Sequence, residues 1–393
     1  MRNEMRRNLL LIALTAGVVW PGLVKAGAIP PDPDNAALLY YQAFLSLADR
    51  DEQTRTVLRD VARGDIDPND TVRQYVQDCR QAIETVEMAS TRRICDWGVP
   101  FSRGIDVLMP QLSQARFLTF VLIADARLKA ADGDYRGAFE RCLMIEKFAR
   151  HIGNDTTISY LVSIAVRSAG RKCMQDVVAL AADDAEVLGW LSRELATAEP
   201  WTVSLVGPMK IEVEVMAGLM QVNERRKLAE AMTSPDKANA QEMTDFVATL
   251  DAETLEQAER LYRDHVTSML TVLNSSMPYT AICPELKRLA DDFDPNDPAS
   301  RVAGAFMPAM SRIYTLATRA QAQASAVEAG VLLCLRRDES GQLPASLPAG
   351  LPKDPFSGED FEYERTDDGF VLRCRVKENE DEDKADEYAF ILN

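Results

Sequence analysis

The sequence predicts a mainly α fold, an antiparallel helical bundle or irregular α-solenoid, closed by a small C-terminal antiparallel β-sheet. Three observations carry this. Apolar residues recur at three- and four-residue spacing through most of residues 35–337, the period of a helix face. Proline- and aspartate-rich turns punctuate that stretch. After residue 341 the pattern changes to short runs in which aromatic and charged residues alternate, as in half-buried strands. The chain therefore divides into a leader over 1–28, a helical domain over 29–340, and a proline-rich connection with a small sheet over 341–393. At 393 residues and 47% apolar content it can bury a sizeable core in one large domain or two smaller ones.

The leader is read from its order. Arg2, Arg6 and Arg7 are followed by an uncharged run from Leu9 to Trp20, then by the small-x-small sites Val24-Lys25-Ala26 and Ala26-Gly27-Ala28. That order is the signature of a cleaved secretory signal. The apolar run is about 12 residues, short of the roughly 20 a membrane-spanning helix needs. A retained N-terminal anchor is the alternative, since Trp20-Pro21 and Lys25 blur the cleavage region. No cysteine follows the small residues, which argues against a lipid anchor. Export to the periplasm, the envelope or the exterior is expected, with no integral membrane domain beyond that anchor.

Along the chain, Pro30-Pro31-Asp32-Pro33-Asp34 reads as an extended linker ending at a helix over 35–49. The break Gly64-Asp65-Ile66-Asp67-Pro68-Asn69-Asp70 precedes a second helix running to about Ser90, and Trp97-Gly98-Val99-Pro100 then interrupts the chain. Residues 114–131 are apolar nearly all round, which predicts a helix buried among others. Helices over 135–151 and 156–182 follow, and another starts near Asp183-Asp184. Residues 208–273 are more amphipathic and charged, broken at Thr233-Ser234-Pro235, with Pro235 expected in the first turn of the next helix. Over 311–337, Ile313, Ala317, Ala320, Ala324, Val327, Val331 and Cys334 form a four-three seam, read as an intramolecular packing edge in preference to a dimer coiled coil. The prolines at 344, 348, 352 and 355 exclude helix. Strands are expected at 361–365, 370–376 and 388–392, the first two joined by Asp367-Asp368-Gly369 and the last two by an acidic loop over 377–387.

The formal charge of −17 falls to about −20 without residues 1–28, which carry a net three positive charges. Such a field repels phosphate backbones, so nucleic-acid binding is disfavoured. Seven cysteines leave at least one thiol outside any internal pairing. Cys79 and Cys95, near in sequence and at the edges of polar segments, are a pair that an oxidising compartment would allow to bridge. Cys142, Cys173 and Cys334 lie in apolar helical patterns and read as small hydrophobes.

The chain contains no G-x-S-x-G, P-loop, G-x-G-x-x-G, C-x-x-C or H-E-x-x-H pattern, so neither cofactor nor metal is expected and no catalytic residue is assigned. The acidic turns 65–70 and 292–297 lack the glycine at position six and the glutamate at position twelve of an EF-hand. They read as helix caps. The polar and aromatic residues around the buried helix, Trp97, Arg116, Asp125, Arg127 and His151, are the binding-site candidates. His151 also suits the negative end of a helix dipole.

Three resemblances follow from these motifs. Residues 128–139, with Gly133-Asp134-Tyr135 and Ala138, resemble one tetratricopeptide helix pair, which implies two antiparallel helices; no second copy occurs 34 residues on. Asp96-Trp97-Gly98, Ala126-Arg127, Gly133-Asp134, Ala149-Arg150-His151 and Leu161-Val162-Ser163-Ile164-Ala165, with Asp354-Pro355-Phe356-Ser357-Gly358 and Gly369-Phe370-Val371-Leu372, are similar to uncharacterised exported helical proteins of planctomycete-type bacteria. That likeness implies export and architecture and brings no mechanism. Residues 354–372 also resemble the C-terminal sheet of type II secretion pseudopilins, although the long helix here is internal.

These observations favour a non-enzymatic scaffold of the cell envelope that binds another protein or a peptide. The alternatives are a hydrolase-type enzyme whose site assembles only in three dimensions and a secretion-system accessory protein using the C-terminal sheet.

Overall fold

Asparagine and aspartate side chains open many of the helices. In the computed structural model, which describes residues 32–197, 204–234, 237–376 and 385–392, Asn35 accepts from the Ala37 amide to start α1 (Ala36–Leu45). Asp51 caps α2 (Glu52–Arg63) and Asn69 caps α3 (Asp70–Asp78). Each side-chain oxygen satisfies an amide that the first helical turn leaves without a partner. The helix expected from residue 70 to 90 is two: the chain turns at Cys79 and resumes as α4 (Arg80–Ser90).

The core is α5 (Gln111–Ala131), α6 (Tyr135–Ile152) and α7 (Thr157–Leu180), each packed on the other two. Gly133, at φ +81°, reverses the chain between α5 and α6, and Asp134 caps α6 through the Gly137 amide. Thr156 and Ser159 form a reciprocal capping box at the start of α7. Next come α8 (Ala185–Thr197), α9 (Val206–Leu219), α10 (Arg225–Ala231), α11 (Ala240–Thr249) and α12 (Ala252–Leu273). The first-turn role expected of Pro235 lies outside the described residues. α13 (Tyr279–Asp291) and α14 (Pro298–Ala305), the latter capped by Asp297, lead to the long α15 (Met310–Ser340).

The seam of α15 is spent inside the molecule, against α7, α8, α13 and the sheet. The sheet is antiparallel in the order β1 (Glu362–Thr366), β2 (Gly369–Arg373), β3 (Glu387–Ile391). Phe370 stands opposite Phe390, their rings stacked 4.8 Å apart. A Cβ at Gly330 of α15 would lie 2.5 Å from the Phe390 ring, so the missing side chain admits the sheet to the helix. The sheet thereby shares the main core: Phe361, Phe370, Leu372 and Phe390 are buried in the same apolar cluster as α5–α7. A second apolar cluster is built mainly from α9–α14 and the start of α15. Among the described residues no helix is long and apolar enough to cross a membrane. The leader expected over 1–28 lies outside the described residues.

Candidate functional site

Trp97 and His151, 54 residues apart in sequence, meet at the C-terminal end of α6. After α4 the chain is stitched to the start of α1: Asn35 donates to the Asp96 carbonyl at 2.8 Å and accepts from the Asp96 amide at 2.9 Å. This places Trp97 so that its indole N–H donates to the His151 carbonyl at 2.8 Å, one of the last carbonyls of α6. The indole stacks on Tyr40 and Phe44, and the Tyr40 hydroxyl lies 2.8 Å from His151 Nδ1. Burial holds the Tyr40 hydroxyl protonated, and it shares this hydrogen bond with Nδ1. The imidazole also bonds the Arg92 backbone. Burial, then the adjacent Arg150 charge, pushes His151 down to about 4. A neutral imidazole with two fixed partners is a structural pin, and it does not carry the dipole-facing charge expected at this helix end.

Beside this pin opens a cleft of about 670 Å³, within the roughly 300–1,000 Å³ typical of ligand sites. Arg92 and Arg93 line it from the exit of α4, Lys147 and Arg150 from α6, and Glu194 and Thr197 from the end of α8. Arg92 and Arg150 are positioned by additional interactions. Glu146 forms the floor, 4% exposed, and is bracketed by two guanidinium groups of α7, Arg171 at 2.7 Å and Arg167 at 3.1 Å. Arg171 also donates to the Ala320 carbonyl of α15. Burial pulls Arg167 down to about 10, with the Glu146 charge opposing it, so the group stays cationic at neutral pH. Glu146 itself lines the cleft, and the two guanidiniums that bracket it lie behind the lining, so this buried cluster carries one carboxylate against two guanidiniums.

The other candidates are elsewhere and engaged. Asp125 and Arg141 pin α5 to α6 at 2.7 Å, and Arg127 and Asp176 pin α5 to α7 at 2.6 Å. Both are inter-helix ties of the kind that satisfy buried charge. Arg116 is exposed on α5. Cys79 and Cys95 stand as thiols in this structure, as do the other five cysteines.

Sequence reasoning missed Arg92, Arg93, Glu146, Lys147 and Arg150. One signal was available: Arg167 and Arg171 stand four apart on the same face of the mostly buried α7, which demands an acid facing both. A second hollow, of about 590 Å³, lies between residues 101–105 and α9; there Lys227 pairs with Glu224 and Asp106. Among the described residues no group of three or more His, Cys, Asp or Glu side chains converges as a metal site.

No family model, curated protein or solved structure matches the chain.

Proposed function

We propose that this chain is an exported, non-enzymatic binding protein whose helical body presents a cationic cleft to an acidic peptide segment of another protein. One observation carries the reading: four cationic side chains line a single cleft of a chain whose net charge is −17. An overall negative field repels acidic ligands at a distance, while a positive cleft attracts them within the Debye length of about 8 Å. That combination suits a short acidic segment on an otherwise weakly charged partner. Leu143 and the aliphatic stems of Lys147 and Arg150 give the cleft apolar wall for such a segment's methylenes.

The hydrolase alternative has less support, because His151, the one imidazole in the cleft, is pushed down to about 4 and tied to Tyr40 and the Arg92 backbone. The secretion-accessory alternative draws on strand addition at a sheet edge. Edge strand β1 carries Glu362, Glu364 and Arg365, and Glu364 is tied to Arg373. Charged edges oppose such addition.

The test is fluorescence anisotropy with a labelled oligoglutamate peptide, and an oligolysine peptide as control. The reading expects salt-sensitive binding of the acidic peptide only. Reversing the exposed charges in an Arg93→Glu, Lys147→Glu variant should weaken it by about tenfold or more, at roughly 1 kcal/mol per exposed charge. Equal affinity for both peptides, or unchanged affinity in the variant, would sink the reading.

A further inference from the structure

The close approach of α6 and α7 brings two thiols together that sequence spacing gave no reason to pair. The helices run antiparallel, joined by residues 153–156. Their register is fixed at three levels. A Cβ at Gly170 would lie 2.7 Å from Ile145 Cγ2, so α7 touches α6 there without a side chain between. One residue further along α6, Glu146 reaches both Arg167 and Arg171, one on either side of that level. Near the turn, a Cβ at Gly153 would lie 2.6 Å from Ser163 Oγ. Stepping three residues back along α6 from Ile145, and three forward along α7 from Gly170, sets Cys142 opposite Cys173. Both are fully buried and stand as free thiols in this structure, and each is the other's nearest titrating side-chain partner.

We propose that Cys142 and Cys173 are joined by a disulfide in the mature protein, a covalent tie across the α6–α7 hairpin that no pattern in the sequence marks. The chemistry is thiol–disulfide exchange with a disulfide donor of the oxidising compartment. One thiolate attacks a donor sulfur and expels one donor thiol; the second thiolate then attacks the mixed disulfide and expels the other. Two electrons and two protons pass to the donor, which leaves as two thiols. Since neither sulfur is exposed in the fold, the bond forms while the hairpin is still open to solvent, during folding after export.

The tie bears on the cleft as well. Cys142 lies one helical turn from Glu146, and the bond would hold the α6 face that carries Lys147 and Arg150 at a fixed distance from α7.

The experiment refolds the full-length chain in a glutathione redox buffer, quenches it with an alkylating reagent under denaturing conditions, and maps it by mass spectrometry without reduction. Two of the seven thiols should be protected, in a linked peptide pair holding Cys142 and Cys173. A Cys142→Ala variant should leave Cys173 alkylated, and a Cys334→Ala variant should leave the linked pair intact. Seven alkylated thiols in the unmodified chain, or protection of any other pair such as Cys79 with Cys95, would overturn the proposal. The map of the unmodified chain decides this even where a variant folds poorly.

Discussion

Replacing Glu146 by glutamine tests the floor of the cleft. Glutamine keeps the volume and one acceptor but removes the carboxylate charge that faces both Arg167 and Arg171, which are 7% and 3% exposed. Two buried guanidinium groups are then left facing each other, and burial has already pulled Arg167 down to about 10. Breaking a buried ion pair by removing one partner costs about 3–5 kcal/mol, and each kcal/mol moves the midpoint of a domain this large by about 2–4 °C or somewhat less. The E146Q protein should therefore melt about 10 °C below the parent, followed by circular dichroism. Replacing all three charges together, as Glu146→Leu with Arg167→Met and Arg171→Met, should recover most of the loss, because the cost comes from uncompensated charge and packing is largely kept. A loss under about 0.5 kcal/mol in E146Q would mean that water reaches the guanidiniums, and the described floor would be wrong.

Two further outcomes follow from the same geometry. Burial, and then Asp96, raises the Asp155 carboxyl to about 6, and its Oδ2 is buried without a hydrogen-bond partner. A raised carboxyl favours the fold fully below pH 3.8, and that contribution is lost as pH rises through about 6. The stability of Asp155→Asn relative to the parent should thus grow from pH 4 to pH 7. A shift of this size is worth about 3 kcal/mol, or about 2 after discounting for the part of the side chain facing solvent. His151, pushed down to about 4, acts with the opposite sign, losing stability as pH falls below 6.5. The measurement is therefore the difference between variant and parent in urea unfolding at the two pH values, and a pH-independent difference would refute it. At the sheet, Gly330→Ala places a methyl 2.5 Å from a Phe390 ring already pinned by Phe370. It should cost about 1–3 kcal/mol, seen as a lower urea midpoint; an unchanged midpoint would mean that the sheet does not rest on α15.

The elements that carry their own period were legible. Residues 114–131 and 156–182 are helices, the seam over 311–337 lies in one, and the three strands pair as the alternation implied. What failed was local and short. The turn at Cys79 interrupts an apolar pattern without proline or glycine, and the described part of residues 208–273 forms separate α-helices that their shared amphipathic pattern did not divide. The candidate site was legible only in part. Trp97 and His151 were singled out, but their meeting depends on Asn35 drawing the 94–97 segment onto α1, a contact across 61 residues. Arg92-Arg93 and the Lys147, Arg150 pair look like ordinary surface charge until that stitch sets them around one cleft. Asp354, read within a resemblance motif, is fully buried and holds its own turn, accepting from the Phe356 and Arg375 amides and the Ser357 hydroxyl.

The most direct test of the cleft as a peptide site is photo-crosslinking. An oligoglutamate peptide carrying one benzophenone side chain would be irradiated on the full-length protein and the adducts located by mass spectrometry. Adducts concentrated in residues 90–93, 143–154 and 194–197, and suppressed by excess unlabelled peptide, are the predicted result. Adducts around residues 101–105 and 210–227, or scattered over the surface without competition, would contradict the account.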